Sequence, residues 1–138
     1  MKNISYIIAI LLLISCDRFD TKLSLENKTN DTIYYLEMYS DDRIEWNPLV
    51  KNEGKVDTTI SQFIKPKEIK SMAVMGTWEE QILSMAKDSK VRIYFFKKEL
   101  VDNLSKDSFL KRQVYSKKYK LTVKDLEKMK WNVTYEEK

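Results

Sequence analysis

The sequence predicts a mainly β protein: an antiparallel β-sandwich of six to eight strands with two or three short helices. An α+β arrangement is the alternative. Three observations carry this prediction. Val91 to Phe96 (Val-Arg-Ile-Tyr-Phe-Phe) is a β-branched and aromatic run with little polar interruption, the pattern of a buried strand. Thr32 to Tyr39 (Thr-Ile-Tyr-Tyr-Leu-Glu-Met-Tyr) sends apolar side chains both ways, which marks a central strand. Finally, only one predicted helix lies between strands where it could make a crossover, so the regular alternation of a parallel α/β sheet is missing.

The remaining elements follow in chain order. Leu23-Ser24-Leu25 alternates as a strand does, and Asn27 to Asp31 is dense in turn formers and predicts a hairpin loop. Residues 40–55 are polar and irregular, with Trp46, Leu49 and Val50 expected to fold back on the core. Val56 to Ile64 alternates Val56, Thr58 and Ile60 against polar neighbours, and Pro66 ends it. Ile69 to Met75 is a further strand. Thr77-Trp78-Glu79-Glu80 is a capping box that opens a helix over residues 78–87, with Trp78, Ile82, Met85 and Ala86 at helical spacing. Residues 98–104 predict a helical turn through Leu100, Val101 and Leu104. Gln113 to Thr122 reads as an extended basic strand. Thr122 then caps a second helix with Asp125 at N3, and Leu121 can staple to Leu126. Trp131, Val133 and Tyr135 face one way and Asn132 and Thr134 the other, a final strand.

Composition excludes more than it assigns. The 138 residues suit a single domain, and they contain no histidine and one cysteine, Cys16. Ser-His-Asp and Cys-His triads and His/Cys zinc sites are therefore absent, and no intramolecular disulfide can form. No cofactor and no metal site is predicted, and the protein is expected not to be an enzyme. Charge is uneven: residues 17–86 hold nine Lys/Arg against thirteen Asp/Glu, whereas residues 87–130 hold fourteen against six.

The N-terminus has the three parts of an export signal. Lys2 supplies a positive charge, Ile4 to Ile14 is apolar, and Ser15 precedes Cys16. The apolar run is too short to span a bilayer, which takes about 20 residues. Polar residues (Asp17, Arg18, Asp20) begin directly after the cysteine. Leu13-Ile14-Ser15-Cys16 resembles the lipobox of bacterial lipoproteins cut by signal peptidase II. The resemblance implies cleavage between Ser15 and Cys16, a diacylglyceryl thioether on Cys16 and usually an acylated amine, palmitate being typical. Residues 1–15 would then be a signal peptide, 16–22 a lipidated tether, and 23–138 one β-rich domain. It implies a partner, the membrane, and a place in the cell envelope. That place is the periplasmic or surface face of the outer membrane, with the periplasmic face of the inner membrane as the alternative.

A second resemblance covers much of residues 21–135. Asn30 to Tyr35, Val91 to Phe96, Tyr119 to Leu126 and Trp131 to Tyr135 are similar in order and type to small lipoproteins of Bacteroidota. That group has no established activity, so no functional residue carries over. Glu136 departs from its pattern, which often has proline after the final tyrosine.

Four groups of residues are candidate sites. Lys111, Arg112, Lys117, Lys118 and Lys120, interleaved with Tyr115 and Tyr119, form a candidate anion-binding face for anionic lipids or glycans, not for nucleic acid. The competing and favoured reading is a lysine-rich edge strand that resists edge-to-edge pairing. Tyr34, Tyr35, Tyr39, Trp46, Trp78 and Trp131 are favoured as core over a sugar platform. Asn30, Asp31, Asp41, Asp42 and Glu45 lack the spacing of a calcium loop. Ser84-Met85-Ala86-Lys87 and Ser108-Phe109-Leu110-Lys111 fit S-x-x-K without the partner motifs of penicillin-binding enzymes. The expected role is a non-enzymatic binding or interaction module of the envelope, interacting with envelope proteins, anionic lipids or glycans. A small hydrolase working through carboxylates is the alternative.

Overall fold

The computed structural model describes residues 18–41, 62–103 and 115–137. Two strands buried on both faces set its frame. β3 (Ile33–Met38) is buried from Ile33 through Leu36, and β7 (Val91–Lys97) from Val91 through Phe96. They pair antiparallel along their length, Ile33 opposite Lys97 and Met38 opposite Arg92. β4 (Phe63–Ile64) flanks β3 and β8 (Lys117–Leu121) flanks β7, giving a four-stranded sheet in the order β4-β3-β7-β8.

A three-stranded sheet packs against its inner face. β2 (Ser24–Asn27) lies between β5 (Ile69–Ser71) and β9 (Asn132–Tyr135). The main core lies between the two sheets: Leu23, Leu25, Ile33, Tyr35, Ile64, Ile93, Phe95, Val133 and Tyr135 are all buried in one cluster. Strand periodicity of two explains the membership, since alternate residues of each strand reach the same face. α1 (Trp78–Met85) closes the cluster with Trp78 and Ile82, and α3 (Val123–Lys128) adds Leu126. The outer face of the four-stranded sheet is covered separately. There Tyr34, Leu36, Tyr94 and Phe96 pack with Val101 of α2 (Lys98–Asn103). A third, two-stranded sheet pairs β1 (Phe19–Asp20) with β6 (Val74–Met75).

The protein is therefore mainly β and sandwich-like, as its sequence predicts, with nine strands and three helices among the described residues. Both capping boxes are formed. The Thr77 hydroxyl accepts from Glu80 N and the Glu80 carboxylate from Thr77 N; Thr122 and Asp125 repeat the arrangement. Leu121 and Leu126 share the main core, as the staple requires.

The pairing is mostly antiparallel, as expected, with β2 and β9 alone running parallel among the described strands, Ser24 opposite Asn132 and Asn27 opposite Tyr135. Several expectations are corrected. Asn27 to Asp31 is not a hairpin loop. Each neighbouring strand is central in its own sheet, β2 between β5 and β9, β3 between β4 and β7, so neither has an open edge for the other. The turn instead carries the chain from one sheet to the next. Its hinge is Asn27, fully buried, whose amide donates to the carbonyls of Asp31 (2.7 Å), Lys65 (3.0 Å) and Ile64 (3.2 Å). Its oxygen accepts from Thr29 N at 3.0 Å and Thr29 Oγ1 at 2.8 Å.

Ile69 to Met75 is two strands: β5 pairs with β2, a ladder that Met72 N extends to the Leu23 carbonyl, and β6 then pairs with β1 in another sheet. Phe19 and Asp20, expected in the tether, form a strand. Met85 is 55% exposed: the buried stripe of α1 runs Trp78, Ile82, and on to Ala86 at its C-cap. Residues 40–55 and 56–61, Leu104, Gln113 and the early part of the basic strand lie wholly or largely outside the described residues.

Candidate functional site

β8 decides how the basic residues are arranged. It is an edge strand of the four-stranded sheet, and its alternation divides the lysines. Lys117 is opposite Phe95 and shares the inner face with Tyr119 and Leu121; its ammonium lies 5.1 Å from the Tyr119 ring. Lys118 and Lys120 point to the outer face, opposite Tyr94 and Arg92. Lys111 and Arg112 lie outside the described residues. The predicted cluster is thus split by the sheet, and an edge position is what the gatekeeper reading asks of a lysine-rich strand.

On the outer face Lys118 and Lys120 join a charge cluster whose centre the sequence did not reveal. Arg92 is only 2% exposed although it carries a permanent charge. Its Nη1 and Nη2 grip Asp88 Oδ1 and Oδ2 at 2.7 and 2.6 Å, a bidentate fork. Nε and Nη2 reach Asp41 Oδ1 and Oδ2 at 3.2 and 2.8 Å. Nη1 also donates to the carbonyls of Lys90 and Tyr39. Lys118 reaches Asp41 at 2.9 Å, and Lys120 reaches Asp41 at 2.5 Å and Asp88 at 3.1 Å.

The ionisation equilibria follow this geometry. Arg92, then Lys120 and Lys118, hold the Asp41 carboxyl far below the usual carboxylate range, and Arg92 does the same for Asp88. Burial works against the Lys118 charge, yet hydrogen bonds to Asp41 and Tyr94 leave it above its ordinary value. Lys118 and Lys120 are therefore engaged by carboxylates of their own chain. The cluster joins the end of β3, the α1–β7 turn, β7 and β8 into one unit.

Glu37 is a different kind of carboxyl. Burial pushes it upward, and the hydroxyl of Tyr39 donates to its Oε1 and pulls partly the other way. Burial and the Glu37 charge in turn push the Tyr39 phenol up. Both residues follow Ile33 and Tyr35 along the inner face of β3.

The aromatic residues are core. Tyr34, Tyr35 and Trp78 are buried, and Tyr39 and Trp131 pack against the main cluster. Lys22 lies 4.2 Å from the Trp131 ring centre. Trp46 is outside the described residues. Asp42 and Glu45 are too, while Asp41 faces three cations; among the described residues no group of acids is placed to hold a metal. Ser84 and Lys87 are exposed at the end of α1, where Ser84 Oγ donates to the Gln81 carbonyl. Ser108 and Lys111 are not described.

A cleft of about 360 Å³ opens between Thr29, Asp31, Ile33, Lys97, Glu99 and Tyr135. It is mixed in charge, and Lys97 at its wall is bridged to Glu137 at 2.7 Å. Three separate segments build it, so no local pattern could have announced it.

The chain matches no family model, and neither curated proteins nor solved structures give a significant match to it. Among the described residues, no helix is long and apolar enough to cross a membrane.

Proposed function

We propose that this is a lipid-anchored protein of the bacterial cell envelope, held by Cys16 and acting as a non-enzymatic binding or interaction module. The observation that carries the reading is Leu13-Ile14-Ser15-Cys16 at the end of a short apolar run, with polar residues directly after it. The position of the first described strand supports it: β1 begins at Phe19, three residues after Cys16, so this strand would lie close to the anchor. Two acyl chains hold a protein stably, each buried methylene contributing about 0.8 kcal/mol. The outer membrane is the expected site.

Binding is favoured over hydrolysis by the state of the carboxyls. Histidine is absent from the sequence, so a hydrolase would need two acids with pKa values pushed apart. Among the described residues Asp20, Glu26, Asp41, Asp88 and Asp125 are pulled down by their partners. Glu37, the acid pushed up, is paired with Tyr39.

The anchor is tested by changing Cys16 to Ala in the producing bacterium and following lipid labelling and detergent-phase partitioning. The wild type should carry label and enter the detergent phase, and the variant should do neither. A wild type without label, or a variant equally membrane-bound, refutes the reading.

A further inference from the structure

We propose that Phe19 and Met75 form a bilayer-docking face that fixes how the domain stands on the membrane. The inference rests on the anchor at Cys16.

The two residues are direct partners across the β1–β6 pair, and each is 63% exposed. Their neighbours, Asp20 and Val74, face the opposite way. Asp20 Oδ2 accepts from Trp78 N at 3.1 Å, and Val74 packs on the main core. Alternation therefore leaves Phe19 and Met75 together on the outside. The register is pinned next to them, where Gly76, at a φ of 79°, donates its N–H to the Arg18 carbonyl at 3.0 Å. The pair cannot turn inward without breaking the contacts of Asp20 and Val74.

Neither Phe19 nor Met75 belongs to either core cluster of the described residues. The pair's position supplies the reason for its exposure. Phe19 follows Cys16 by three residues, and three residues span at most about 10 Å. A bilayer holding lipid on Cys16 is thus within about 10 Å of the Phe19 backbone. An apolar face tethered so closely meets the membrane at very high effective concentration, and weak contacts suffice to orient it. Arg18, exposed beside the pair, fits the headgroup level. A soluble protein partner would have to compete with lipid for the same narrow space, so the bilayer is the occupant.

The test uses the lipidated protein, from Cys16 onward, in phosphatidylcholine–phosphatidylglycerol vesicles. With Cys16 consumed by lipid, Met75→Cys supplies the sole free thiol. It is labelled with an environment-sensitive fluorophore and challenged with spin-labelled lipids. Lys28→Cys, exposed beyond the far end of β2, is the control. Lipidation is read independently by mass and vesicle flotation. Quenching at position 75 should exceed that at position 28 by at least about two-fold. Phe19→Ser should lower it toward the control without altering lipidation or the circular dichroism spectrum. Equal quenching at both positions in a lipidated, vesicle-bound protein overturns the docking face and leaves the anchor standing. A protein of unmodified mass that does not float with vesicles overturns the anchor reading and this inference with it.

Discussion

Changing Asn27 to Asp keeps the shape of the side chain and removes its donors. The amide group serves three carbonyls at 2.7–3.2 Å from a fully buried position. A carboxylate there donates nothing and sets its own negative oxygen against theirs. Losing two N–H donors costs about 1 kcal/mol each. The charge adds about 1.4 kcal/mol for each unit by which burial raises the carboxyl above its unfolded value. We expect a total of about 4 kcal/mol at neutral pH, a large part of the 5–15 kcal/mol typical of a domain. The raised folded-state pKa makes the loss pH-dependent. The penalty is complete above that value and shrinks as pH falls toward about 3.9, where the unfolded carboxyl also takes up its proton. Near pH 4 the variant should cost about 2 kcal/mol or less, since a protonated Asp can return one donor. Urea unfolding of the chain from residue 17 onward gives both numbers. It is followed by tryptophan fluorescence, to which buried Trp78 contributes. A cost below about 1 kcal/mol at neutral pH, or one that does not change with pH, refutes the view that Asn27 hinges the two sheets.

Two further perturbations test the charged interior. Arg92→Met keeps the stem and deletes the fork. Because Asp41 and Asp88 are 44% and 39% exposed and can rehydrate, the cost should be modest, about 2 kcal/mol in a denaturant titration. A neutral result would mean that the cluster is ornament on an independently stable sheet. Glu37→Gln removes a carboxyl whose pKa is raised by burial. The wild type holds this proton in the folded state after the unfolded chain has lost it. Its stability from this group is thus full below the unfolded value and falls as pH rises above it. The Gln variant lacks that decline, so its stability relative to wild type should rise between pH 4 and pH 8. Parallel unfolding midpoints across that range would show that Glu37 is ionised and comfortable where it sits.

What the sequence made legible was local or repetitive. The capping boxes at Thr77 and Thr122 depend on residues three apart, so they could be read directly and are formed as read. β3 and β7 could be recognised because both faces of each are apolar, which only a covered central strand tolerates. The Asn27 turn shows the limit. Turn-forming residues announce that the chain reverses; they do not say whether the next strand pairs with the last one or leaves for another sheet. That choice lies in Asn27 reaching Ile64 and Lys65, nearly forty residues ahead. The basic residues show a second limit. Their spacing in sequence was visible, but the carboxylates that engage Lys118 and Lys120 come from Asp41 and Asp88, brought over by the sheet. Phe19 and Met75 are unremarkable until the β1–β6 register sets them side by side.

The parallel pairing of β2 with β9 has a kinetic consequence. Ser24 meets Asn132, so the three-stranded sheet lacks one of its three strands until residues 132–135 are in place. A chain without them has no strand to complete it, and closing so long a loop is slow. Such a topology ties completion of this sheet to a contact more than a hundred residues apart in the chain.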